Sequence, residues 1–206
     1  MAVYIVYMFL IVLIYKVFKS LYNVIECYFF FKKDKLILDN IVLNKEPFIL
    51  LVIPVLMEQK IIIQTLQHLL HLEYHNYNVM ISGSEKEERL LNNKDDKTTI
   101  DIVNGFIKEH NLAGKYYTYL CTNLNGSRSN QINDCIHYYK NNYGTPDIIG
   151  IYDCDSLPSF QTLKYVAIRF MQGVRCVQQP LHYRLPNNDA KNPFCVANAR
   201  SEERRV

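Results

Sequence analysis

Two carboxylates separated by one residue, Asp153 and Asp155, close the stretch "DIIGIYDCDSLPS" that runs from Asp147 to Ser159. Ile148 to Tyr152 are large and apolar apart from Gly150, and Ser156, Pro158 and Ser159 supply turn chemistry. The pattern predicts a short buried strand that stops at Asp153. On an extended chain, side chains two apart share a side, so both carboxylates would converge on one small volume. Such a pair repels itself unless a cation or a proton neutralises it. The alternative assignment is a helix cap and a turn residue after a buried strand.

Other chemistry-bearing residues give weaker patterns. His68, His71 and His75 fall near one helix face without a supporting carboxylate, which predicts surface or core-edge histidines rather than a metal site. The six cysteines, at 27, 121, 135, 154, 176 and 195, contain no C-x-x-C pair. They read as free thiols in a reducing compartment, with Cys154 a small core filler between the aspartates. Arg175, Arg184 and Lys191 read as parts of a solvated face.

The elements that must position the aspartates alternate in type. "FILLVIPVL", Phe48 to Leu56, is a continuous apolar run, as in a strand covered on both faces, and Pro54 should end its ladder. From Glu58, helical spacing through Ile62, Leu66, Leu69 and Leu70 predicts a helix of about four turns. "NYNVMISGS" predicts a second strand, and the charged stretch Glu85 to Lys97 a solvated loop or short helix. Thr98 and Thr99 can cap a helix to about His110, "KYYTYLCTN" predicts a third strand, and Asn130 to Tyr143 another helix. Strand and helix thus alternate four times, which predicts an α/β fold with a mostly parallel sheet and helices on both faces. Ligands of such sheets bind beyond the carboxyl ends of the strands, where Asp153 and Asp155 lie.

Ahead of this body, "MAVYIVYMFLIVLIYKVFKS" opens with fifteen uncharged residues. With Lys16 and Lys19 snorkelling it predicts a membrane anchor rather than a signal peptide, and Leu21 to Phe31 continues that helix or lies in the interface. Lys16, Lys19, Lys32, Lys33 and Lys35 all follow the apolar start, which places the body on the cytosolic side of a single-pass membrane protein. The expected organisation is an anchor over residues 1–31, a linker over 32–46 and an enzyme-like domain over 47–206.

Composition narrows the partners. A net charge of +3 and a pI near 8.4, with no long basic block, do not argue for nucleic acid. Sixteen Tyr with no Trp read as compositional bias rather than as stacking sites for bases. The sequence carries neither G-x-G-x-x-G nor a Walker motif after a strand, which weakens nicotinamide and P-loop readings.

Taken in order, the segments resemble the family 2 glycosyltransferases of the GT-A fold, a Rossmann-like group of membrane synthases. "LVIPVLMEQK" resembles the opening strand and its acidic follower, "GSRSNQIND" the G-x-K-x-x-x-L-N segment, "IYDCDSLP" the D-x-D motif and "VRCVQQPLHY" the strand after it. The resemblance covers about residues 47 to 200. It implies a nucleotide-sugar donor (UDP- or GDP-sugar) whose leaving diphosphate is neutralised by Mn²⁺ or Mg²⁺ at Asp155 and Asp153. Pro54 and Glu58 would border the nucleoside, Glu85 would read the base, and Arg128, where the family has Lys, would pair with phosphate.

The family also carries an acceptor stretch with an E-D base and a Q-x-x-R-W clamp, and neither motif occurs in these 206 residues. The expectation is therefore a donor-binding half, with inverting transfer once an acceptor half is supplied by further sequence or by a second chain. The catalytic base stays unassigned. A membrane-tethered, non-catalytic module that binds a nucleotide or a partner is the competing expectation.

Overall fold

The computed structural model describes residues 2–39, 41, 43, 45–91, 96–123 and 126–179. They fall into two units, the first ending at Gln172; of the second, only residues 173–179 are described. Residues 174–179 have no regular secondary structure, so the start of "VRCVQQPLHY" is not a strand. The rest of that segment, with Arg184, Lys191 and Cys195, lies outside the described residues.

The first helix, α1 (Ala2–Asp39), is continuous. It runs through the Leu21–Phe31 stretch and eight residues into the expected linker. Its segment Val6–Phe29 has a mean hydropathy of 1.7, and none of it is buried against the rest of the protein. Those 24 residues span about 36 Å, enough to cross a bilayer core. No face is set apart as polar, unlike a helix made to pack on a soluble core.

Four strands form one parallel sheet in the order β3-β2-β1-β4: β1 (Ile49–Pro54), β2 (Tyr77–Ser84), β3 (Tyr116–Cys121) and β4 (Ile148–Ile151). Every residue of β1 is buried, since alternate side chains enter opposite layers. Ile49, Leu51 and Ile53 pack with α2 (Ile62–Leu69), α4 (Thr99–Glu109) and α6 (Thr162–Met171) through Leu66, Val103 and Ala167. Leu50 and Val52 pack with Met80 and with Cys135 and Tyr139 of α5 (Arg128–Tyr143) on the other face. Handedness explains this sorting. The crossovers β1→β2 and β2→β3 move one way along the sheet and β3→β4 moves back, so right-handed connections put α5 opposite α2 and α4.

Two elements depart from expectation. α2 has eight residues rather than about four turns, because beyond it the chain turns to bury Leu72 and Tyr74 and to donate Glu73 N–H to Phe160 O at 2.8 Å. β4 is not fully buried: it is an edge strand among the described residues, and Ile149 and Ile151 are exposed. Its start is fixed by Asp147, whose carboxylate accepts Phe48 N–H at 2.8 Å.

Candidate functional site

β1 and β4 are neighbours, yet the chain reaches β4 only after visiting β2 and β3. Loops leaving the carboxyl ends of two such strands run in opposite directions and leave a crevice between them. A cleft of about 370 Å³ lies there.

From β1 come Pro54, Val55, Leu56 and Glu58. Pro54 is the last strand residue, and the Val55 amide makes the final tie to β2, donating to Ser82 O at 2.8 Å. Met57 then takes a left-handed φ of 60°, an uncommon conformation for a residue with a side chain, and redirects the chain at Glu58. The Glu58 amide donates to Thr99 Oγ1 at 3.0 Å, and that hydroxyl donates to Glu87 Oε1 at 2.6 Å. Thr99 N–H and Gln59 Nε2 donate to the same oxygen, each at 2.8 Å. Glu87 is 1% exposed and sits at the amino end of α4, where the free amides and the helix dipole favour an anion. Its Oε2 has no hydrogen-bond partner. This buried carboxylate fixes the backbone that presents Glu58.

From β2 come Ser84 and Lys86. Lys86 begins the short helix α3 (Lys86–Leu90), and its Nζ donates to Gly126 O at 2.7 Å. Glu85 is not among the cleft-lining residues: it is half-buried, and its amide donates to Cys121 O at 3.1 Å. From the β3–α5 connection come Cys121, Asn123, Gly126 and Ser127, followed by Arg128 and Gln131 on α5. Ser127 caps α5, accepting Asn130 N–H at 3.3 Å, so the helix starts two residues before the expected Asn130. Gln131 Nε2 donates to Ser82 O, tying α5 to the end of β2.

From the β4 side come Asp153, Cys154 and Asp155. They do not reach the cleft along an extended strand. The strand stops at Ile151, and Ser156 N–H donates to Asp153 O at 3.0 Å, closing a turn over the pair. Both carboxylates nonetheless line the cleft. The Arg128 guanidinium pairs with Asp153, both side chains being 56% exposed. Cys154 points into the core, 4% exposed, and its carbonyl accepts the Thr65 hydroxyl. Burial first, then the nearby Glu58 and Asp155 charges, pushes its thiol up to about 12, which rules it out as a nucleophile near neutral pH.

Pro54, Glu58, Arg128, Asp153 and Asp155, singled out from the sequence, thus meet in one cleft, while Lys86 and Glu87 were missed. Lys86 carried no local signal. Glu87 sits in the run "EKEE" and is distinguished only by its contact with Thr99. Of the three histidines, His68 sits at the core edge, its Nε2 2.6 Å from Pro158 O and its ring stacked on Phe160 at 5.0 Å, while His71 and His75 are exposed.

No group of three or more His, Cys, Asp and Glu side chains that could hold a metal ion exists among the described residues. Mg²⁺ and related cations commonly take only one or two carboxylates and complete their oxygen shell with water and substrate phosphates. The hard oxygens of Asp153 and Asp155, both at the cleft, fit that requirement.

No protein-family profile and no curated protein matches this sequence. Similar solved structures include mannosyltransferase PcManGT from Pyrobaculum calidifontis in complex with GDP-Man and Mn²⁺, at 17% identity and a TM-score of 0.49 over 74% of this chain and 43% of that one. S. aureus TarS 1–349 is similar at 12% identity and a TM-score of 0.45, over 66% of this chain and 40% of that one. The chain spans less than half the length of either.

Proposed function

We propose that this chain is the donor-binding part of a family 2-type glycosyltransferase, taking a UDP- or GDP-sugar with Mn²⁺ or Mg²⁺ and held at a membrane by α1. The observation that carries the reading is the meeting of Pro54, Glu58, Arg128, Asp153 and Asp155 in one cleft where the strand order reverses.

Charge supports it. Glu58, Asp153 and Asp155 face Lys86 and Arg128 in the cleft, three carboxylates against two cations. A diphosphate entering alone would meet net negative charge, whereas one divalent ion reverses the sign. Asp153 and Asp155 would hold that ion, which when bound stabilises the charge that develops on the leaving diphosphate. Arg128 can leave the exposed Asp153 carboxylate for a phosphate, because an exposed ion pair is worth only about 0.2–1 kcal/mol. The Glu58 backbone is held through Thr99 and Glu87, which supports a role for its carboxylate as acceptor from a hydroxyl of the nucleoside. Inverting transfer also needs a general base within hydrogen-bond reach of the acceptor, and we assign none of the cleft carboxylates to that role.

The test is saturable binding of radiolabelled UDP- and GDP-hexoses to the chain in lipid nanodiscs, with and without Mn²⁺. Mn²⁺-dependent binding is the expected result. Nucleoside diphosphate release in the same samples separates a transferase from a tethered binding module. A folded protein that binds neither donor contradicts the reading.

A further inference from the structure

Asp153 and Asp155 sit in a turn rather than in the sheet, so the β ladder does not fix them. The Tyr152 amide still donates to Val52 O at 3.1 Å, but the Asp153 carbonyl accepts Ser156 N–H instead of a strand partner. Support comes from the other side. Cys154, between the two aspartates, is buried in the core layer that holds Leu66 and Leu69 of α2. α2 and the residues after it make three hydrogen bonds to the stretch from Cys154 to Phe160. The Thr65 hydroxyl donates to Cys154 O, His68 Nε2 lies 2.6 Å from Pro158 O, and Glu73 N–H donates to Phe160 O at 2.8 Å.

The Thr65 contact bears directly on the carboxylates. A helical Thr usually returns its hydroxyl to the carbonyl four residues back. Here that carbonyl, Ile61 O, lies at 3.5 Å, and Cys154 O is the closer acceptor. The Cys154 carbonyl and the Asp155 amide belong to one planar peptide unit, so holding the oxygen holds the plane from which Asp155 departs. Thr65 is 2% exposed and Cys154 4%, so without the hydroxyl this carbonyl gains a partner only if the peptide turns toward water. His68 fixes the far side of the same turn. A carbonyl carries no hydrogen, so Nε2 is the donor, and the ring is also stacked on Phe160 at 5.0 Å.

We propose that Thr65 and His68 are positioning residues for the cation, holding the aspartate turn in the geometry that lets Asp153 and Asp155 share one ion. This rests on the donor-site reading above and adds to it two residues outside the cleft that set its affinity. A turn that spends only a fraction of its time in the competent geometry binds more weakly by that fraction.

The test is titration of Mn²⁺ into the full chain in detergent micelles at fixed GDP or UDP, with free Mn²⁺ read by electron paramagnetic resonance. Thr65→Val keeps the shape and removes the donor, and it should weaken Mn²⁺ binding about tenfold or more, as losing a partner of a metal ligand does. Thr65→Ser, which keeps the hydroxyl, should bind within about threefold of wild type. His68→Phe keeps a ring beside Phe160 without the donor and should weaken binding, while His68→Gln, which keeps an N–H, should recover most of it. A merely structural role would lower the urea midpoint of Thr65→Val and leave its Mn²⁺ affinity unchanged. That result, or a Thr65→Ser as weak as Thr65→Val, overturns the proposal. If Thr65→Val does not fold, the His68 pair decides by the same two criteria. A folded wild type without Mn²⁺-dependent binding overturns the donor-site reading itself, and the positioning role with it.

Discussion

At the scale of single residues, the candidate site combines the exposed Asp153 and Asp155 with the buried Glu87 that holds the backbone at Glu58. The position of Asp153 and Asp155 at the cleft was legible because they directly follow an apolar strand, and ligands of a parallel sheet bind beyond the carboxyl ends of its strands. Glu87 was not, because an acidic residue in a charged stretch normally faces water. Only the fold reveals that it accepts three hydrogen bonds at 1% exposure. Replacing it by Ala would leave the Thr99 amide and the Gln59 side chain without their acceptor. The expected loss is about 2–4 kcal/mol of stability, read by urea denaturation followed by tyrosine fluorescence in this Trp-free chain. The buried thiols give a pH signature. Burial pushes both Cys135 and Cys154 from an ordinary 9.0 up to about 12. The unfolded chain therefore releases these protons at lower pH than the folded one and binds fewer of them between pH 9 and 12. Stability should fall with rising pH across that window, by at most about 1.4 kcal/mol per pH unit for each thiol. Replacing both cysteines by Ala should flatten the fall, and an unchanged slope would contradict the assignment.

Among the elements, the strands were the most legible, because parallel strands covered on both faces read as unbroken apolar runs. That holds for β1, whereas β2 and the edge strand β3 lie within "NYNVMISGS" and "KYYTYLCTN", where β-favouring residues run into polar turn residues. The length of α2 was not legible, since Leu72 and Tyr74 continue an apolar pattern while entering the core from a non-helical segment. The turn at the two aspartates was legible in part: Ser156, Pro158 and Ser159 announce turn chemistry and a turn residue was the alternative assignment for the pair, whereas convergence along an extended strand was the wrong geometry for their approach to the cleft. α4 shows local and global signals in agreement. Thr98 accepts Asp101 N–H at 3.1 Å while its own amide donates to Asp101 Oδ2 at 3.0 Å. Thr98→Ala should cost about 1 kcal/mol in the same denaturation assay. Behind that helix, β2 needs Gly83, since a Cβ there would lie 2.3 Å from Ile100 Cγ1. Gly83→Ala should cost about 1–3 kcal/mol by overpacking, and a neutral result would mean that α4 can shift away from the sheet.

For the whole molecule, the reversal of strand order creates the cleft, and α1 is long and apolar enough to cross a membrane. The α/β class followed from the alternation of elements, whereas the cleft depended on strand order, which no local pattern encodes. With α1 spanning a bilayer, the chain should stay in the membrane pellet after alkaline carbonate extraction, and a variant lacking residues 2–31 should appear in the supernatant. The central claim is that Asp153 and Asp155 hold a divalent ion that admits a nucleoside diphosphate. Calorimetric titration of GDP and UDP, with and without Mn²⁺, into wild type and an Asp153→Asn, Asp155→Asn double variant of confirmed fold tests it most directly. The account predicts binding that requires Mn²⁺ in the wild type and vanishes in the variant. Equal binding by the two proteins, or binding indifferent to Mn²⁺, would contradict it.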